Sequence, residues 1–291
     1  MERNWAKLTD ALIVAALKED LGQGDITTEA TVPKDMNSQA FLFSKANGVL
    51  AGIDVAMKVF HTVDPAFSVS TLFKDGDEIR KGQKIAEISG KVSSILKAER
   101  TALNFLGRLT GISSTTSLYV KSIEGCRAMI LDTRKTMPTM RHLDKYAVKV
   151  GGGHNHRFGL DDMVLIKDNH IAVAGGIRIA VDSVVSYLKE NNREMKIEVE
   201  CQSYGEVLEA VYTPVDIIML DNMDLSETER SVELIRETNN ENDRTISVEV
   251  SGNIDLNSVR AVAETGVDYI SVGSLTHTVY NHDFSLLFEE L

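Results

Sequence analysis

After about residue 105 the sequence alternates between short apolar runs typical of β-strands and amphipathic segments typical of α-helices. Alternation of this kind predicts a parallel sheet, because each helix carries the chain back to the end of the sheet where the next strand starts. The sheet is either open or closed into a barrel. The predicted strands are 128–132, 164–167, 196–201, 216–221, 246–250 and 269–272, and the predicted helices are 175–190, 203–212, 225–237 and 256–265.

Polar residues or glycines lie at the C-terminal ends of all six predicted strands. In a β/α barrel those ends meet at one mouth, where the active site is built. Helix capping explains single members such as Asp168 or Ser251, but it does not account for the whole set. We therefore predict a ligand site at this mouth. The residues at these ends are Asp132, Arg134, Lys167, Asp168, Glu200, Asp221, Glu249, Ser251 and Gly273.

The first 105 residues have a different pattern of apolar and turn-forming residues. Short apolar runs are separated by turn sequences, and one helical pattern lies at about 54–63. This mixture predicts a small α+β domain over residues 1–105, followed by the α/β domain over 106–275.

The charge distribution limits the classes of ligand. The chain holds 31 Lys and Arg against 43 Asp and Glu, a net charge of −12 that argues against a nucleic-acid partner or an anionic membrane surface. Residues 132–170 differ, with seven basic residues and five acidic ones. Arg141, Lys145 and Lys149 recur every four residues, which indicates the solvated face of a helix. Arg134 and Lys135 follow a predicted strand and Lys167 ends one, so these residues indicate a pocket for a small anion.

No apolar run approaches the roughly 20 residues of a membrane helix, and the two cysteines, Cys126 and Cys201, form no disulfide or metal motif. The sequence shows no export signal. We therefore expect a cytoplasmic protein that has no membrane partner.

Two parts of the sequence are predicted to bind anions: the glycine-rich loop at 151–157 and the turns after the last two strands. Three glycines at 151–153 precede His154, His156 and Arg157, and glycine allows a backbone to approach a ligand closely. The two histidines form only a weak metal motif, so anion binding is the favoured interpretation. At the last two strands, small residues leave backbone N–H groups available to a phosphate. These residues are Ser251, Gly252, Asn253, Val272, Gly273 and Ser274.

The acidic side of the predicted pocket has a different chemistry. Glu198 and Glu200 lie on one face of a strand, and Asp221 ends the next strand. Glu200 and Asp221 suit a divalent cation or sugar hydroxyls, since Mg²⁺ prefers carboxylates combined with substrate phosphates. For Glu198 a buried structural ion pair and a ligand contact are both open. The residues alone thus indicate a Mg²⁺-assisted pocket for one phosphorylated and one small anionic substrate.

Six sequence blocks, taken in order, resemble the quinolinate phosphoribosyltransferase family, which belongs to the type II phosphoribosyltransferases. The resemblance runs from about residue 19 to 277. The turn at 251–253 departs from it, because many relatives have a second glycine where Asn253 stands, and Ser274 replaces a common alanine. The blocks are Glu99–Asn104, Asp132–Thr136, Gly151–Arg157, Ile166–His170, Met219–Asn222 and Val272–His277.

The resemblance implies an N-terminal α/β sandwich and an incomplete, seven-stranded α/β barrel, with the tail 276–291 packed back onto the first domain. It also implies a reaction of NAD biosynthesis. Quinolinate and phosphoribosyl pyrophosphate would give nicotinate mononucleotide, pyrophosphate and carbon dioxide, with Mg²⁺ as cofactor.

Roles for individual residues follow from the same resemblance. Quinolinate would contact Arg100, Thr133, Arg134, Lys135, His156, Arg157 and Lys167, with Arg100 supplied by the neighbouring subunit of a homodimer. Lys135, Lys167, Glu200 and Asp221 would be catalytic. Glu200 and Asp221 would face the ribose hydroxyls and Mg²⁺, as ligands or indirectly, and the loops 251–253 and 272–274 would hold the 5′-phosphate. A dimer and a hexamer are both open.

Other functions on the same fold stay open as alternatives. A paralogue associated with molybdenum metabolism would act on another heterocycle, and a non-catalytic binding or carrier protein would have kept only the barrel. A salvage enzyme that uses nicotinate would need to bind one carboxylate, whereas the basic residues here suit two.

Overall fold

A computed structural model describes residues 4–289 of the chain. These residues fall into two compact units: the first is built from residues 4–117, 136–152 and 274–289, and the second from residues 118–135 and 153–273. The predicted domain boundary near residue 105 stays a prediction.

The helices are α1 (Trp5–Leu21), α2 (Ile26–Thr31), α3 (Ile53–Val63), α4 (Val92–Ser122), α5 (Arg141–Val150), α6 (Asp168–Ala174), α7 (Ile177–Glu190), α8 (Tyr204–Ala210), α9 (Leu225–Asn242), α10 (Val259–Glu264) and α11 (Ser274–His277). The strands are β1 (Asn37–Ser44), β2 (Gly48–Val49), β3 (Ser68–Thr71), β4 (Glu78–Ile79), β5 (Lys84–Lys91), β6 (Met129–Leu131), β7 (Val164–Ile166), β8 (Ile197–Cys201), β9 (Ile217–Asp221), β10 (Ser247–Ser251), β11 (Tyr269–Ser271) and β12 (Phe284–Phe288).

The first unit contains an antiparallel sheet in the order β12-β1-β5-β3 and a small β2-β4 ladder. Along β1, Ala40 and Leu42 are buried at alternate positions, as the two-residue period of a strand requires. The C-terminal strand β12 pairs with β1, with Leu286 opposite Leu42. The segment before β12 passes so close to α4 that a Cβ at Gly111 would lie 2.3 Å from the carbonyl oxygen of Tyr280. Only glycine leaves room for this crossing.

The second unit contains a parallel sheet in the order β6-β11-β10-β9-β8-β7. An isolated parallel bridge between Leu131 and His154 adds a rudimentary seventh strand beside β6. The second unit therefore forms an incomplete α/β barrel, the first unit is a mixed α/β domain, and the predicted fold class is confirmed. Central strands β8 and β9 are buried along nearly their whole length, as expected for a sheet covered on both faces.

The six strands predicted after residue 105 are all present, with ends that agree within one or two residues. The predicted helix over 175–190 starts at Ile177, because Gly175 and Gly176 have φ values of 93° and 144° and separate it from α6. The prediction that Arg141, Lys145 and Lys149 form a solvated face of α5 is wrong for Lys145, because only 2% of this residue is exposed.

Among residues 4–289, no single helix has the length and apolar character needed to span a membrane. Helices α6 and α7 pass that test only as a pair, across a bend of 91°.

Candidate active site

A cavity of about 560 Å³ opens at the C-terminal ends of the parallel strands of the second unit. Each of the six strands ends within two residues of at least one lining residue, so the predicted mouth of the barrel is a real pocket. The lining residues are Thr133, Arg134, Lys135, His156, Arg157, Leu165, Lys167, Glu200, Met219, Asp221, Asn222, Ser251, Gly252, Asn253 and Ser271.

One side of the cavity concentrates positive charge. Arg157 is only 9% exposed, and its guanidinium donates a hydrogen bond to the Met163 carbonyl at 3.2 Å. Burial, together with the nearby positive charge of Arg134, lowers the pKa of Arg157. Two guanidinium groups held near each other in a half-buried pocket repel one another, so a bound dianion would offset this repulsion.

The carboxylates that line the cavity are on β8 and β9, away from β6 in the sheet order, and the first of them forms an ion pair. The Lys167 ammonium contacts the Glu200 carboxylate directly, and the Glu200 side chain is almost fully buried. Lys167 follows β7 and Glu200 lies in β8, so this contact joins two adjacent strand ends. Asp221 ends the next strand, β9. The pocket therefore has a cationic half and an acidic half that Lys167 connects.

A buried cluster lies beneath the cavity and consists of His156, Glu198, Glu249 and Ser271. His156 and Ser271 also line the cavity, whereas the two glutamates do not. The Nε2 atom of His156 is 3.0 Å from Glu198 Oε2 and 3.5 Å from Glu249 Oε2. The Ser271 hydroxyl donates to Glu249 Oε1 at 2.5 Å. Burial raises the pKa of both Glu198 and Glu249 to about 8, and in Glu249 the neighbouring Glu198 adds to that increase.

The three donor groups of His156, Glu198 and Glu249 lie within 4.8 Å of one another, a spacing that a metal ion could bridge. However, the Nδ1 atom of His156 accepts the backbone N–H of Arg157 at 2.7 Å. An accepting Nδ1 carries no proton, so a proton on this ring is on Nε2, the atom that a metal would need. The cluster is therefore better described as an acid pair beside a histidine.

A turn after β10 forms another part of the cavity wall. Gly252 and Asn253 have φ values of 97° and 53°, and Asn222 after β9 has a φ of 58°. The left-handed conformation is tolerated by glycine and by asparagine, which accounts for Asn253 at a position where a second glycine would also fit. Ser251, Gly252 and Asn253 were predicted as a phosphate loop, and the structure brings them into the cavity together.

The other predicted residues have different positions. Thr133, Arg134, Lys135, His156, Arg157, Lys167, Glu200 and Asp221 all line the cavity. Of the second predicted loop, Val272 is buried and neither it nor Gly273 lines the cavity, while the adjacent Ser271 does. Ser274 and Arg100 belong to the first unit. The roles assigned to all these residues, including the ligand-gripping role of His156, stay predictions.

Sequence reasoning did not include Asn222, Ser271 or Met219 in the site, and it did not anticipate the pairing of Glu249 with Glu198. Asn222 directly follows a predicted strand end, so its position was an available signal. The approach of Glu198 to Glu249 has no such signal, because these residues lie on β8 and β10, which are separated by β9.

The fold and the pocket define an α/β-barrel enzyme whose cleft suits a small anionic substrate and a sugar phosphate. Two family models match the chain: "Quinolinate phosphoribosyl transferase, N-terminal domain" over residues 25–110 and "Quinolinate phosphoribosyl transferase, C-terminal domain" over residues 112–287. The chain belongs to the quinolinate phosphoribosyltransferase family.

Similar proteins agree with this assignment. Quinolinate phosphoribosyltransferase [decarboxylating] 1 of Nicotiana glauca is 43% identical, covering 94% of this chain and 81% of its own. The chloroplastic nicotinate-nucleotide pyrophosphorylase [carboxylating] of Arabidopsis thaliana is 44% identical, covering 95% and 81%. Among solved structures, NadC from Streptococcus pyogenes is 39% identical with a TM-score of 0.90 over the full length of both chains. The nicotinate-nucleotide pyrophosphorylase of Francisella tularensis is 38% identical with a TM-score of 0.91, covering 99% and 98%.

Proposed function

We propose that this chain transfers the phosphoribosyl group of phosphoribosyl pyrophosphate to quinolinate and releases carbon dioxide. The products are nicotinate mononucleotide, pyrophosphate and carbon dioxide, a step of NAD biosynthesis. The observation that carries the proposal is a single cavity lined by two guanidinium groups and by two carboxylates, which come from different ends of the sheet order. Family membership supports the same reaction.

The cationic half would bind quinolinate. Arg134 and Arg157 offer planar donor groups that match carboxylates in a bidentate manner, and quinolinate carries two carboxylates on adjacent ring carbons. Lys135 and Lys167 also line the cavity and would hold the region where the two substrates meet. Nicotinate has a single carboxylate and would leave part of this positive charge uncompensated, so the arrangement favours the dianion.

The acidic half would bind the phosphoribosyl group. The pyridine nitrogen forms a bond to ribose C1 while the bond from C1 to the pyrophosphate oxygen breaks, and pyrophosphate leaves with the electron pair. Positive charge develops on the sugar in this step. The carboxylates of Glu200 and Asp221 would stabilise that charge, and the N–H groups of the turn at 251–253 would hold the 5′-phosphate.

Decarboxylation then needs no nucleophile from the protein. Once its nitrogen is bonded to ribose, the ring carries a positive charge that stabilises the carbanion formed when the adjacent C–C bond breaks. Carbon dioxide leaves, and the ring carbon takes up one proton. The contribution of the chain would be to orient both substrates and to exclude water from the buried guanidinium side.

Mg²⁺ is the proposed cofactor. The donor set fits, because a pocket with the two carboxylates Glu200 and Asp221 and room for substrate phosphates is the setting in which Mg²⁺ is usually held. When bound, the ion would neutralise charge on the leaving pyrophosphate. The contact of Glu200 with Lys167 makes Asp221 the more available carboxylate.

We also propose a homodimer, or a hexamer built from dimers, in which Arg100 of one subunit reaches the site of another. Arg100 lies on α4. The support for this proposal is the resemblance to the family, in which the equivalent arginine reaches the site of the neighbouring subunit. We also propose a cytoplasmic location. The names of two plant relatives differ in this respect, because they place those proteins in the chloroplast and the mitochondrion.

The decisive experiment measures carbon dioxide and nicotinate mononucleotide formed from quinolinate, phosphoribosyl pyrophosphate and Mg²⁺, with nicotinate replacing quinolinate in a parallel reaction. Arg157→Ala should raise the KM for quinolinate by about 100-fold, because a charge-assisted bidentate contact is lost. Arg260→Ala is the matched control, since Arg260 is on α10 and half exposed. Turnover of nicotinate instead of quinolinate, or none at all by a folded protein, would overturn the proposal.

A further inference from the structure

Asn222 connects two parts of the cavity wall that come from different strands. Its side-chain Nδ2 donates to Asp221 Oδ2 at 2.8 Å, and its Oδ1 accepts from Asn253 Nδ2 at 3.0 Å. Its backbone N–H donates to the Ser251 carbonyl at 2.9 Å. One residue thus links the carboxylate at the end of β9 to both ends of the turn after β10.

The orientation of this chain of hydrogen bonds is fixed by Asp221. An ionised carboxylate only accepts, so the amide N–H group of Asn222 must face it and the amide oxygen must face Asn253. Asn253 then has to present its own N–H group toward Asn222. If the amide of Asn253 were turned over, two acceptors would face each other. The Asp221 carboxylate therefore determines the direction of the amide groups along the rim of the cavity.

The backbone is built around the same link. Asn222 lies in the left-handed region with a φ of 58°, a conformation that asparagine tolerates better than most residues. Across from it, a Cβ on Gly252 would lie 2.2 Å from Asn222 Oδ1. The turn can thus approach Asn222 closely only because residue 252 has no side chain.

We propose that Asn222 is a positioning residue that holds Asp221 and the turn 251–253 in one fixed geometry for the phosphoribosyl group. The proposal rests on the proposed function, because it assigns both linked parts to the same substrate. The distance from Asp221 to the turn defines the span between the sugar hydroxyls and the phosphate of that substrate. Asn222 would therefore act on phosphoribosyl pyrophosphate and on the sugar in the transition state, while quinolinate lies at the other half of the cavity.

Asn222→Gly is the informative substitution. Glycine keeps the left-handed backbone and removes both side-chain hydrogen bonds, so the chain should fold normally. We expect the dissociation constant for phosphoribosyl pyrophosphate, measured by calorimetry, to rise roughly 10- to 100-fold, the size of effect of a hydrogen bond to a charged group. The value of kcat should also fall, and the KM for quinolinate should change by less than about twofold.

Two further variants separate positioning from structure. Asn192→Gly is the matched control, because Asn192 is also an exposed asparagine with a positive φ of 51°, located after α7 and away from the cavity. Asn192→Gly should change neither the dissociation constant for phosphoribosyl pyrophosphate nor the KM for quinolinate. Asn222→Asp keeps the shape and tolerates the backbone conformation, but it places an acceptor against Asp221. It should weaken phosphoribosyl pyrophosphate binding at least as much as Asn222→Gly, because it breaks the link to Asp221 and also adds a negative charge beside the phosphate.

The outcomes distinguish this inference from the proposed function. If Asn222→Gly binds phosphoribosyl pyrophosphate as tightly as the unmodified chain, or loses affinity for both substrates equally, the positioning role is refuted while the reaction stands. If the unmodified chain binds phosphoribosyl pyrophosphate but does not turn over quinolinate, the proposed reaction fails, and the calorimetric comparison still decides the role of Asn222. If it does not bind phosphoribosyl pyrophosphate at all, both proposals fail.

Discussion

The buried acid pair beneath the cavity makes the stability of this protein depend on pH in a way that one substitution should remove. Glu198 and Glu249 are 0% and 1% exposed, and burial raises the pKa of each from 4.5 to about 8. Glu249→Gln replaces one acid by a neutral group of the same shape. The new amide can still accept the Ser271 hydroxyl and can donate to Glu198, so the pKa of Glu198 should fall as well.

The sign and size follow from proton linkage. Between pH 4.5 and pH 8 the folded chain retains protons that the unfolded chain releases, so the stability associated with the pair is lost as the pH rises through this range. One retained proton changes the free energy of unfolding by about 1.4 kcal/mol per pH unit. From pH 5 to pH 7 the difference in stability between Glu249→Gln and the unmodified chain should therefore shift in favour of the variant by about 3 kcal/mol for the proton of Glu249, and by more as the pKa of Glu198 falls.

Urea denaturation of the ligand-free protein at several pH values measures this difference directly, because contributions from all other groups cancel. Glu264→Gln is the control, since it removes a carboxyl that is 57% exposed and pairs with Arg260 at the surface. Its difference curve should be nearly flat. A Glu249→Gln curve that is equally flat between pH 5 and pH 7 would refute the description of the pair as protonated in the folded state.

Three other outcomes can be checked. Asp144→Asn should lower the free energy of unfolding by about 3–5 kcal/mol in urea denaturation, because Asp144 is fully buried and binds the Arg108 guanidinium through two bonds of 2.9 and 2.8 Å. Gly111→Ala should lower the melting temperature and make the segment 278–283 more sensitive to limited proteolysis, because the added methyl would clash with the Tyr280 carbonyl. Lys167→Met should reduce kcat/KM by roughly 100-fold in steady-state assays without loss of the fold, since it removes the ammonium group between the two halves of the cavity.

Much of the site could be predicted because parallel strands place their C-terminal ends at one edge. Lys167, Glu200 and Asp221 were expected at the mouth of the barrel from their positions at strand ends, and all three line the cavity. The turn at 251–253 was expected for the same reason. Predictions based on a local pattern were weaker where burial depends on the whole fold. The four-residue spacing on α5 indicated a solvated face, yet Lys145 is buried.

The sequence by itself determined the order of strands and helices, the edge of the sheet where charged residues gather, and the family to which the chain belongs. These properties depend on local periodicity and on short motifs, which are written in consecutive residues. The tertiary structure alone decided the register in which β12 pairs with β1, the approach of Glu198 and Glu249 to His156, and the link that Asn222 makes between two strand ends. Each of these contacts joins residues far apart in the chain, so it depends on strand order and register, which periodicity does not encode.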